Sequence, residues 1–349
     1  MVLQPARGAE FRWAGLRRES PNVSLNPKVV ALGGGHGLFA TLRALRHVTD
    51  QITAVVTVAD DGGSSGRLRT ELGVLPPGDL RMALAALTED SDWGRTWAAV
   101  LQHRFHSEGP LDNHAVGNLL ISAFWELLGD PVEGLDWVGR LLGTRGRVLP
   151  MADVPLVVGA DIRQGEQLRT VVGQVNVATA EGRIEHLWLD PAHPPPCKEA
   201  VEAVREADWV ILGPGSWYTS VLVHLAVPEL RDALHETGAK RLLALNLSPD
   251  HETAEHSSVD LMDAVYHHAP EFRVDTVLAD PTAVDDVHLA ERAAAQLGAH
   301  LIMRQVAVGD GTARHDALRL AAAYRDVFGA AIGDVSSRTT GVTGVTDAP

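Results

Sequence analysis

The chain has 349 residues, 45% of them hydrophobic, a formal net charge of -15 and a single cysteine, Cys197. That length carries one large α/β domain with insertions or two smaller domains, while the acidic balance argues against a nucleic-acid surface, which needs a concentrated basic face. One cysteine excludes an intramolecular disulfide and any Cys-rich metal centre, and no apolar run approaches the roughly 20 residues of a membrane span, so a cytoplasmic protein without membrane insertion is expected.

Residues 1–26 mix Arg, Glu, Gly and Pro without a period and read as a flexible extension that lacks the apolar core of a signal peptide. From Lys28 to Leu32 an apolar, β-branched run leads into Gly33-Gly34-Gly35-His36-Gly37, after which Leu38, Leu42 and Leu45 recur at helical spacing. The pattern is strand, tight turn, helix. Glycines there let the backbone approach a ligand, and the unpaired amides of a helix start favour phosphate. A dinucleotide fingerprint beginning at Gly33 would need glycine where Leu38 stands, which demotes ordinary NAD binding.

A second strand over Ile52–Val58 delivers Asp60, Asp61 and a further loop, Gly62-Gly63-Ser64-Ser65-Gly66-Arg67. Asp60 lies where a Rossmann carboxylate meets ribose hydroxyls, and the two carboxylates together are candidates for a Mg²⁺ ion. Asp79 reads as the cap of a helix running through Leu87. Arg81, in the first turn, opposes the helix dipole there; with Arg67 and Arg69 it could neutralise a diphosphate.

Residues 79–145 are helical in pattern, with Asn113 as an expected N-cap and His114 and Asn118 four apart on one helix face. They read either as ligand contacts or as core polar groups satisfied by the backbone. A small β insertion over 151–190 follows, from short runs at Leu156–Val158, Arg169–Val177 and Arg183–Leu189. Further strands at Trp209–Leu212, Arg241–Leu247, Val274–Leu278 and His300–Val306 alternate with helices. The fold class is therefore α/β, a Rossmann-like doubly wound parallel sheet over 27–333 with a helical and an antiparallel β insertion.

Gly213-Pro214-Gly215-Ser216 closes the strand at Trp209–Leu212 and Asn246 closes the next, both at the edge where open α/β sheets form their ligand crevice. Asp250, His251, Glu252 and His256 match no strong metal spacing and read as a polar loop. His103, His106, His267 and His268 read as surface residues, and 334–349 as a disordered tail.

These segments together resemble the CofD-like superfamily, and more closely its YvcK branch, the bacterial gluconeogenesis factors. The resemblance rests on Gly33–Gly37, Val58–Arg67, Pro76–Asp79, Gly117–Leu120 and Gly213–Ser216, in that order across nearly the whole core. It departs at His36, where the branch has Thr or Ser, and at Ser248–Thr253. The resemblance implies a Rossmann-like three-layer fold, binding of UDP-N-acetylglucosamine, and a role in cell-envelope morphogenesis and growth on gluconeogenic carbon sources. The site would comprise Gly33, Gly34, Gly35, His36, Gly37, Asp60, Asp61, Ser64, Ser65, Arg67, Asp79, Arg81, Asn118, Gly213, Gly215, Ser216 and Asn246, with no catalytic residue assigned. The alternatives are a phospholactate transferase acting on a deazaflavin with Mg²⁺ on Asp60 or Asp61, and a dinucleotide-binding protein. A homo-oligomer and a protein partner in envelope regulation are further associations left open by this reading.

Overall fold

The computed structural model describes residues 26–249, 251–253 and 256–337; the expected extension at 1–25 and the tail at 338–349 lie outside them. In chain order, β1 (Val29–Gly33), α1 (Gly35–Leu45) and β2 (Ile52–Val56) precede five helices: α2 (Gly63–Leu72), α3 (Gly78–Leu87), α4 (Asp92–Gln102), α5 (Val116–Leu128) and α6 (Pro131–Leu142). Next come β3 (Arg147–Pro150), β4 (Val157–Gln164), β5 (Gln167–Val172), α7 (Gln174–Ala178), β6 (Arg183–Asp190), α8 (Lys198–Glu206) and β7 (Trp209–Leu212). The chain then adds α9 (Pro228–Glu236), β8 (Lys240–Ala244), α10 (Ser258–His268), β9 (Thr276–Ala279), α11 (Val287–Gln296), β10 (His300–Met303) and α12 (Ala317–Ser337).

Seven strands form one sheet in the order β10-β9-β8-β7-β1-β2-β3, every pair parallel. Helices cover both faces of such a sheet, which is why β1, β7 and β9 are buried at every position, with Thr276 at the start of β9 the one polar side chain among them. From β1 the chain winds outward through β2 to β3, then returns to β7 on the other side of β1 and winds through β8 and β9 to β10. The direction reverses between β1 and β7, whose register pairs Val29 with Trp209 and Leu32 with Leu212. A parallel sheet opens its ligand crevice at the carboxyl ends of the strands on either side of such a reversal.

The helical insertion is specified locally. Asp130 accepts hydrogen bonds from the Val132 and Glu133 amides at 2.8 and 3.0 Å, Pro131 occupies the first turn of α6, and Gly143 ends the helix at φ 62°. Val132, Leu135, Val138 and Leu142 are buried along α6 and join the core. The β insertion is a separate antiparallel sheet in the order β5-β4-β6.

Three expectations need correction. The run Arg169–Val177 is a strand only to Val172; α7 takes over because the Asp61 carboxylate accepts from the Gln174 and Val175 amides at 3.0 Å each and caps a helix there. The edge strand β3 pairs with β2 but escapes sequence reading, being four residues long and containing both Arg and Pro. Finally, α12 extends to Ser337, so 334–337 belong to a helix and not to a tail. Among the described residues no helix is long and apolar enough to cross a membrane.

At the sheet centre, Thr41 on α1 donates to the Gly213 carbonyl at 3.2 Å and lies 3.1 Å from the hydroxyl of Tyr324 on α12, all three buried. Tyr324→Phe keeps the ring and removes one buried hydrogen bond, so the expected loss is about 1 kcal/mol in chemical denaturation. A loss near zero would show that the hydroxyl contact contributes nothing to docking of α12.

Candidate functional site at the strand-order reversal

The turn after β1 carries a helix N-terminus directly into the crevice. Gly34 precedes α1 without any side-chain cap. The Gly35 amide aims at the Asp79 carboxylate, while the amides of His36 and Gly37 donate to no protein group among the described residues. A Cβ on Gly34 would lie 2.5 Å from Asp79 Oδ2 and 2.6 Å from Thr57 Cγ2. On Gly37 it would lie 2.1 Å from the Pro214 carbonyl oxygen, so glycine alone lets α1 pass beneath the loop after β7.

That second loop uses its own donors. Gly215 and Asn246 exchange two hydrogen bonds, amide to Oδ1 at 2.8 Å and Nδ2 to carbonyl at 2.9 Å. Buried Glu252 accepts from the Tyr218 and Thr219 amides at 2.9 and 3.4 Å and from the Thr219 hydroxyl. A carboxylate of the chain itself thus occupies the helix start that follows Ser216, and the loop serves as a wall beside the freer amides of α1. His268 also departs from expectation: it is part-buried against the Tyr218 ring, its Nδ1 2.9 Å from the Ala264 carbonyl.

Asp60 and Asp61 are engaged separately. Asp60 Oδ1 accepts from the Gly62 amide at 2.9 Å, and burial raises its pKa. Exposed Asp61 caps α7 with both oxygens. Both Asp61 oxygens are thus engaged by the α7 amides, and no group of three or more His, Cys, Asp or Glu placed to hold a metal occurs among the described residues. Arg67 donates to the Pro110 and Asp112 carbonyls at 3.1 and 2.7 Å, and Arg69 to Leu156 at 2.8 Å, so each clamps a neighbouring segment.

Asp79 does not cap α3, whose N-cap is Pro77 without a side-chain bond. Its carboxyl turns instead to Gly35, and burial, reinforced by the nearby Asp60 charge, pushes its pKa up to about 7. Asn113 likewise is not a cap: it sits at φ 61° in a short hairpin in which its amide bonds Phe105 and the His103 carbonyl accepts from Val116, and α5 starts only after Ala115. His114 therefore stands outside the helix, yet it and Asn118 still meet on one atom. The Ser64 hydroxyl lies 3.0 Å from His114 Nδ1 and accepts from Asn118 Nδ2 at 3.0 Å, with Ser65 3.5 Å away. Asn118 Oδ1 in turn receives Nε of Arg81 at 2.8 Å. Arg81 is 4% exposed, and burial lowers its pKa to about 10.

Beside this network a cavity of about 380 Å³ is lined by His36, Phe39, Arg81, Met82, Gln102 and Arg104. Sequence reading missed Arg104, a lone arginine just past an amphipathic helix with no motif around it. A larger cavity of about 460 Å³ opens at the opposite, amino edge of the strands, beside Lys28, Asp50, Arg147, Glu199 and Glu202. Its acidic rim suits no phosphate, and it lies away from the reversal.

A family described as "2-phospho-L-lactate transferase CofD" matches residues 29–318. A Mycobacterium tuberculosis protein is 49% identical over 313 residues, 87% of this chain and 91% of its own. The "Gluconeogenesis factor" of Bacillus subtilis is 38% identical over 261 residues, 74% of this chain and 80% of that one. A crystal structure of a UPF0052 family member from Bacillus halodurans superposes with a TM-score of 0.77 at 33% identity, covering 85% of this chain and 98% of that one.

The raised pKa of Asp79 has a measurable signature. The folded state holds a proton that the unfolded chain, with a carboxyl near 3.8, has released. Stability from this group is therefore full below about pH 4 and falls as the pH climbs through 7, by at most about 4 kcal/mol. Asp79→Asn is expected to be more stable than the native chain above pH 7 and to flatten the decline in melting temperature between pH 5 and 8. An unchanged profile would show that Asp79 is ionised throughout.

Proposed function

Because the chain belongs to the CofD family, we propose that it binds a nucleoside-diphosphate sugar at the strand-order reversal, UDP-N-acetylglucosamine being the expected ligand, and works as a regulator of envelope growth and gluconeogenic metabolism. The single observation that carries the reading is the uncapped N-terminus of α1, whose His36 and Gly37 amides face the crevice without protein partners. Such a terminus offers converging N–H groups and the positive end of a helix dipole to a diphosphate. Absence of the third glycine of the dinucleotide fingerprint, Leu38 being buried against the sheet instead, favours a nucleotide sugar over NAD. The gluconeogenesis-factor designation of the Bacillus subtilis relative supports the regulatory side.

Titration calorimetry is expected to show saturable binding of UDP-N-acetylglucosamine to the full chain, a thermal shift with that ligand, and neither effect with NAD. Incubation with the same ligand and Mg²⁺ is expected to return it intact. No heat and no shift would overturn the ligand assignment. Sustained release of UDP beyond one equivalent per protein would overturn the regulatory reading in favour of a transferase.

A further inference from the structure

We infer that the cavity between α1, α3 and α4 is a subsite for a second small molecule, an organic anion carrying a phosphate or carboxylate on a flat or apolar body. It deepens the proposed function in that it lies beside the α1 terminus through His36, but its argument rests on other residues. Two guanidinium groups, Arg81 and Arg104, line this one cavity, and no carboxylate is among its lining residues. In a chain of net charge -15 that pairing runs against composition.

Arg81 is the informative group. It is 4% exposed, and its one hydrogen bond to the protein leaves from Nε, to Asn118. Asp79 and Asp60 act on it through space, and its side-chain bond goes to Asn118 rather than to either carboxylate. The terminal nitrogens of Arg81 carry no protein hydrogen bond and are not sealed from the cavity they line, so their forked donors stand open to an arriving acceptor. Asn118 holds Nε, and Ser64 holds Asn118, so the terminal nitrogens are oriented in advance for a planar, two-oxygen acceptor. Arg104, lining the same cavity, is held by one bond to the Asn113 carbonyl at 2.9 Å.

The remaining lining residues describe the body of the ligand. Phe39 and Met82 supply an apolar, polarisable surface, and Gln102 adds one amide at the rim. At about 380 Å³ the space suits a small organic acid and is at the low end for a ligand pocket, too small for a nucleotide sugar to lie wholly within it. The occupant is thus a separate molecule next to the nucleotide.

Phenyl phosphate is a suitable probe, with phenol as its uncharged counterpart and inorganic phosphate as the head alone. Titrated into the full chain and followed by NMR or calorimetry, phenyl phosphate is expected to saturate one site, phenol to show none, and inorganic phosphate to bind more weakly. Arg104→Gln, a change at an exposed side chain, is expected to weaken phenyl phosphate at least tenfold without altering the melting temperature, and Arg104→Lys to recover part of it. Saturating UDP-N-acetylglucosamine is expected to leave the probe bound. Equal binding of phenol, indifference to Arg104→Gln, or displacement of the probe by the nucleotide sugar would each overturn the inference. Binding of the probe to a chain that ignores UDP-N-acetylglucosamine would sustain this subsite while refuting the proposed ligand.

Discussion

Backbone meets backbone where α1 passes beneath the loop after β7, and no side chain of any size fits between them at Gly37. Everything at the carboxyl edge depends on that approach. It sets the α1 terminus against the wall braced by Gly215 and Asn246, and it lets Thr41 reach the Gly213 carbonyl so that α12 can dock through Tyr324. Glu252 belongs to the same arrangement, since its carboxylate settles the amides of Tyr218 and Thr219. The crevice is consequently asymmetric: one loop is satisfied internally and the other is available.

On the far wall the charges are organised by a chain of polar atoms rather than by ion pairs. His114, Ser64, Asn118 and Arg81 are all buried, each bonded to the next, and the series ends on a guanidinium that faces a cavity. Buried networks of this kind are favourable only when complete, because each unsatisfied member carries its full desolvation penalty. The interior members are complete here. The terminal one keeps its outer nitrogens open to the cavity without a sealed, unpartnered donor, and that is where a ligand would act.

The sheet and the glycine turns could be read in the sequence because their causes are local: β-branched runs buried on both faces, and glycines that nothing else can replace. Leu38 is an instance, rejected from the fingerprint and found buried at 1% exposure. What could not be read was governed by distant partners. Asp79 has the look of a cap, yet its carboxyl answers to an amide 44 residues earlier, that of Gly35. Arg67 and Arg69 resemble phosphate ligands in sequence, but carbonyls from other segments claim them. Arg104 had no signal at all, since only the hairpin around Asn113 brings it to the cavity.

The seam between β1 and β7 carries a temporal consequence. It joins segments about 180 residues apart, as the bond from the Lys28 amide to Asp208 at its base records. Everything between them, both insertions included, is synthesised before the seam can close, and contacts of such long sequence separation are slow to form. During translation the α1 terminus therefore exists for a long interval as an open, one-sided cleft. Ribosome-bound chains that stop short of Gly213 have half a crevice, and a ligand that needs both sides would recognise only the finished chain.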